Sequence, residues 1–133
     1  MALKYQHNRG RRSASKAAFL ATALLASLLV HLETADAATY MVGGPSGWDY
    51  SVAKWESGKK FRAGDVLVFN YDPSLHNVVE VDENEYNRCS TSATSVTRTS
   101  GKDRVKLSKG RHFFTCSIPG HCDGGLKIAI NAS

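Results

Sequence analysis

A thiol and two imidazoles constrain this chain more than anything else in it. Cys116-Ser117-Ile118-Pro119-Gly120-His121-Cys122 sets Cys116 and His121 on one short loop, while His76 lies forty residues upstream. The loop can turn back on itself, because Pro119 fixes one φ and Gly120 permits an unusual one. Any fold for this sequence must therefore return both loop donors to a point that a separate strand also reaches. One thiolate and two imidazoles form the donor set of a blue-copper electron-transfer centre, which a weak, long axial ligand usually completes.

Two plainer readings compete with this one. His76 could cap a turn while Cys116 serves as a buried thiol, since cysteine is among the most buried residue types. Zinc also accepts two histidines and a cysteine, but a structural zinc site normally takes a fourth protein ligand.

The first part of the chain reads as a leader. Lys4, Arg9, Arg11, Arg12 and Lys16 form a basic segment, and a 14-residue apolar run follows from Ala17 to Val30. Ala35-Asp36-Ala37 then gives a small-x-small cleavage site, so residues 1–37 are expected to be a secretory signal peptide and 38–133 the mature domain. The apolar run is short for about 30 Å of hydrocarbon. No small-residue site, spacer and hydrophobic tail follow Ile130, so no membrane anchor is expected. The terminal Asn131-Ala132-Ser133 is an N-glycosylation sequon, expected to be unoccupied so close to the chain end.

Secretion changes the meaning of the cysteines. An oxidising compartment favours disulfides, and three cysteines leave one over. A free thiol beside two others would invite mispairing there. If Cys116 is a metal ligand, Cys89 and Cys122 remain to pair, closing a loop of about 34 residues worth roughly 3–4 kcal/mol. A 96-residue domain buries only about 60–65% of its unfolded surface, so a staple is expected.

The leader also carries much of the net charge. The whole chain is +5, with 17 Lys and Arg against 12 Asp and Glu, whereas residues 38–133 alone come to +2. That argues against nucleic acid as a partner. Lys102, Arg104, Lys106, Lys109 and Arg111 nonetheless cluster, and the even-numbered members would share one face of a strand. They read either as a solvated face or as a docking patch for an acidic cell-wall polysaccharide.

Short apolar and β-branched runs between turn signals indicate an antiparallel sandwich or barrel. Strands are expected at Thr39–Val42, Val66–Tyr71, Asn77–Val81, Arg104–Leu107, Arg111–Cys116 and Leu126–Ile130, with helical turns at Trp55–Lys60 and Glu83–Arg88. Ser90–Ser100 reads as a loop with some edge-strand content. Trp48 and Trp55 read as core aromatics. His112 shares a strand face with Cys116, but four residues along a strand is about 13 Å, too far for one metal.

Gly64-Asp65-Val66-Leu67-Val68-Phe69-Asn70-Tyr71, Leu75-His76-Asn77-Val78-Val79, Phe114 through Cys122 and Leu126-Lys127-Ile128-Ala129-Ile130 together resemble the phytocyanin family, especially its plantacyanin or basic-blue branch. The resemblance covers residues 38–133. It implies an all-β, cupredoxin-like Greek-key β-sandwich with one type 1 copper on His76, Cys116 and His121. It also implies a Cys89–Cys122 disulfide and a secreted electron carrier of the cell-wall space rather than an enzyme.

The sequence departs from that pattern at Leu126. The plantacyanin branch places a Met there and the stellacyanin branch a Gln, whereas leucine has no donor atom. Three strong ligands without an axial one should favour Cu(I). The same departure also fits a domain no longer used for redox work, an extracellular signalling or cell-wall interaction protein such as a reproductive guidance cue. A copper oxidase is disfavoured, because no additional histidine cluster accompanies the single site. The expected partners are a redox protein or small reductant meeting a monomer at His121.

Overall fold

The computed structural model describes residues 36–133 together with Thr22 and Leu24. The chain divides into two units, Met1–Ala35 and Asp36–Ser133. Thr22 and Leu24 are helical, and apart from these, Asp36 and Ala37, the expected leader lies outside the described residues. Among these residues no helix is long and apolar enough to cross a membrane.

Residues 36–133 form two sheets. The first orders β1 (Thr39–Met41), β2 (Val66–Asn70) and β5 (Lys102–Lys106); the second orders β4 (Val96–Arg98), β3 (Val78–Val81), β6 (Gly110–Thr115) and β7 (Lys127–Ala132). The chain crosses between sheets after β2, β4 and β5. Only β1 runs parallel to its neighbour, β2. The result is the all-β sandwich expected from the sequence.

Alternation sets which side chains meet between the layers. Leu67, Phe69 and Val105 from one sheet share a cluster with Val78, Phe114, Ile128 and Ile130 from the other. Phe69 and Phe114 meet at 5.1 Å, and Trp48 stands edge-on to Phe69 at 5.2 Å. Each such side chain gains roughly 1.5–3 kcal/mol on leaving water. Trp48 belongs to this core, and Trp55 packs partly buried against it.

The helical segments differ in part from expectation. Glu83–Arg88 is a short α-helix, α1, started by a reciprocal capping box between Asp82 and Glu85. Trp55–Lys60 forms turns rather than a helical turn. Lys54 (φ 63) and Gly58 (φ 77) take left-handed values that a right-handed helix cannot propagate. Single 3-10 turns sit instead at Gly44–Ser46 and Tyr50–Val52, the latter capped by the Asp49 carboxylate accepting from Ser51 N–H. Strand β5 also begins two residues earlier than its alternation suggested, and β7 runs two residues further.

One polar contact closes the β2–β5 pair near the end that carries His76. The Tyr71 hydroxyl donates to the Asp103 carboxylate, which also accepts from Ser100 Oγ at 2.7 Å. Burial, then the hydrogen bond to Asp103, push the Tyr71 phenol up from 10.0 to about 12. Folding therefore favours the neutral phenol. That stability is complete below pH 10 and declines as pH rises from 10 towards 12. Thermal melts of Tyr71→Phe should show a shallower loss of Tm across this window than the parent; parallel curves would remove Tyr71 from the alkaline transition.

Candidate metal centre

His76 reaches the site from the β2–β3 turn. Asp72 shapes that turn: its carboxylate accepts from Ser74 N–H at 2.9 Å and from Ser74 Oγ at 2.7 Å, and its carbonyl accepts from His76 N–H at 3.1 Å. Cys116 stands just beyond β6 with no exposed surface. His121 follows on the loop to β7, where Gly120 takes φ 83, a left-handed value that suits glycine. His121 N–H donates to Ile118 O at 3.0 Å, and Gly124 N–H to Gly120 O at 3.0 Å.

These three residues converge. His76 Nδ1 lies 3.1 Å from His121 Nδ1, and Cys116 Sγ lies 3.4 Å from His121 Nδ1 and 4.0 Å from His76 Nδ1. A small divalent ion bound at about 2.0–2.3 Å in the middle of a triangle holds its donors roughly 3.5–4 Å apart. The donor set and its spacing thus fit a trigonal metal centre, and a soft thiolate with two imidazoles suits copper. Burial, chiefly, and then His121 push the His76 imidazole below its usual 6.5, against the pull of Asp49 and Asp72. This keeps His76 in the neutral form that ligates metal.

Leu126 is tied by its backbone to both loop donors. Its carbonyl accepts from Cys116 N–H at 3.1 Å, its N–H donates to His121 O at 3.0 Å, and its side chain is fully buried in the core cluster that includes Cys116. Cys89 and Cys122 are joined, with Cα atoms 5.6 Å apart. The bridge links the end of α1 to the residue after His121. His112 is elsewhere: its Nε2 lies 2.8 Å from Ser108 O and its Nδ1 3.3 Å from Glu80.

Three residues that the sequence does not mark as part of the site contribute to it. Asn77 clasps the cysteine loop, with its side-chain N–H donating to Ser117 Oγ and its side-chain carbonyl accepting from Ser117 N–H, both at 2.8 Å. Trp48 Nε1–H donates to Asn77 O at 2.8 Å, tying this clasp to the core. Tyr50 covers both imidazoles, 5.9 Å from the His76 ring and 5.5 Å from that of His121, and is itself 48% exposed. A Cβ at Gly124 would come within 2.9 Å of the Tyr50 ring, so a glycine there leaves the ring its place. The adjacency of Asn77 to His76 was the only available sign of the clasp. Nothing local to Tyr50 pointed to the site.

Comparison with known proteins agrees with this geometry. Residues 46–126 match the model of a plastocyanin-like domain family. The chain is 49% identical to a basic blue protein of Arabidopsis thaliana, over 93% of this chain and 98% of the relative. It is 47% identical to a chemocyanin of Lilium longiflorum, again covering 93% and 98%. Among solved structures it resembles cucumber basic protein, a blue copper protein, with a TM-score of 0.71 and 51% identity over 72% of this chain and all of that one.

Proposed function

We propose that this chain, which belongs to the plastocyanin-like family and within it to the phytocyanins, is a secreted carrier of single electrons. The observation that carries this reading is the convergence of Cys116 Sγ with Nδ1 of His76 and His121. When bound, copper supplies a one-electron couple, and the intense visible colour comes from its bond to the thiolate.

The chain's own residues supply the rest. Cys116, buried in the core, offers a sulfur shielded from water and from stray thiols. The Asn77–Ser117 clasp and the Leu126 backbone bonds hold the three donors in place with protein–protein contacts. A site held this way changes little in shape between oxidation states, which is what rapid transfer requires. His121 is the route for the electron, because it is part-exposed beside Tyr50 and Ile118. The leader and the disulfide support secretion. A carrier of this kind transforms no substrate, so no enzymatic activity is proposed.

The first test is the visible and EPR spectrum of the copper-loaded protein. An intense band that bleaches with a mild reductant and returns with an oxidant supports the carrier. Copper that binds but cannot cycle would overturn it in favour of a non-redox extracellular role.

A finer part of the proposal concerns Leu126. With no donor there, copper has three strong ligands and Cu(I) is favoured. Leu126→Met should therefore lower the reduction potential. Each tenfold gain in relative affinity for Cu(II) is worth about 59 mV, and a redox titration reads it directly. An unchanged or higher potential would mean that the leucine does not set the couple.

A further inference from the structure

The outer face of the three-stranded sheet carries an unneutralised line of cations. Lys102, Arg104 and Lys106 alternate with buried Asp103 and Val105 along β5, and all three are exposed. Their strand partners on β2 are Asn70, Val68 and Val66, and beyond these on β1 stand Met41 and Thr39. No carboxylate shares this face.

Asp103 within β5 and Asp65 just before β2 are both engaged inside. Asp103 is 9% exposed and holds Tyr71 and Ser100. Asp65 is 4% exposed and accepts from the backbone N–H of Ala38 and of Arg62. Among the described residues none of the three cations makes an ion pair. Among the described residues such pairs occur only around the other sheet, at Arg98–Glu80, Arg111–Glu83 and His112–Glu80. The modest net charge of residues 38–133 therefore conceals a segregated one.

We propose that this face binds a linear acidic polysaccharide, a polyuronate with unesterified carboxylates. Cations at alternate strand positions stand about 6.8 Å apart in a row, a spacing that matches an extended polyanion rather than a small anion. Single-stranded nucleic acid would require aromatic platforms for stacking, and this face has none. An anionic bilayer would require apolar groups to insert, and only Met41 is exposed here.

The row begins opposite Asn70, near the end of the sandwich that holds His76, and runs away from it. A bound polymer therefore leaves Tyr50 and His121 uncovered. The copper carrier would be tethered and still able to exchange electrons.

The test is titration of the protein, copper-loaded and copper-free, with polygalacturonate over a series of sodium chloride concentrations. Binding is expected in both forms, weakening steeply with salt and vanishing for the fully methyl-esterified polymer. A cation beside an anionic surface is worth roughly fivefold in affinity. Lys102→Gln/Arg104→Gln/Lys106→Gln should thus bind on the order of a hundredfold more weakly. The charge-matched Arg88→Gln/Arg111→Gln/Lys127→Gln control should stay within about threefold, since these charges lie away from the line.

Equal losses in both triple variants would reduce the effect to net charge and overturn the site. Tighter binding to phosphatidylserine vesicles or to single-stranded DNA would overturn the choice of polymer. A parent that does not bind, with a triple variant that aggregates, would leave the cations only the task of guarding β5 as a sheet edge. The face needs no metal, so a colourless protein that still binds polygalacturonate would defeat the electron-carrier reading alone.

Discussion

Cys116→Ser should give a folded protein that has lost its intense visible band entirely and binds copper more than tenfold less tightly. The argument is chemical. A serine hydroxyl keeps the shape but cannot supply the soft, polarisable sulfur from which the band arises. It also stays protonated at neutral pH, so two imidazoles alone would hold the ion. The fold should tolerate the change, because Cys116 has both imidazoles within reach as hydrogen-bond partners. An unpaired buried hydroxyl would cost about 1–3 kcal/mol, and a paired one less. Spectra and melts recorded side by side separate the two effects. His112→Ala serves as the contrast, since His112 contacts Glu80 and Ser108 instead of the cluster; its band should be unchanged. A persistent band in Cys116→Ser would mean that this thiolate is not its source.

The second large effect is on stability. Cys89→Ala/Cys122→Ala opens a bridge between residues 33 apart in sequence. Its constraint on the unfolded chain is worth about 3–4 kcal/mol, so Tm should fall by roughly 12–30 °C in a domain of this size. The damage should be uneven. Cys89 closes α1 in a left-handed conformation (φ 51), and Cys122 directly follows His121. The freed loop should therefore show faster amide exchange than the β2–β5 pair. A fall below about 5 °C would mean that the folded core, not the cross-link, confines the loop.

The layers and the donors were legible in the sequence for different reasons. Val66–Asn70 and Lys127–Ala132 announce themselves because buried strands are apolar or alternate, and turn residues bracket them. The donors were legible because His76, Cys116 and His121 are chemically unlike their surroundings. The helical turn expected at Trp55–Lys60 failed because backbone signs at Lys54 and Gly58 decide that segment, and composition does not report them. Glu83–Arg88 was readable because its cap is local, with Asp82 and Glu85 three residues apart. The clasp was not, because Asn77 and Ser117 are forty residues apart and amides are common on surfaces. Tyr50 was hidden in the same way, since its partners arrive from two distant loops.

The clasp has a consequence for how such a molecule matures. The long-range bonds around the three donors join distant parts of the polypeptide: Trp48 to Asn77, Asn77 to Ser117, Leu126 to Cys116 and His121. The cage is thus finished by the same event that closes the sandwich. Metal acquisition need not precede folding. The chain can fold empty, already shaped for its ion.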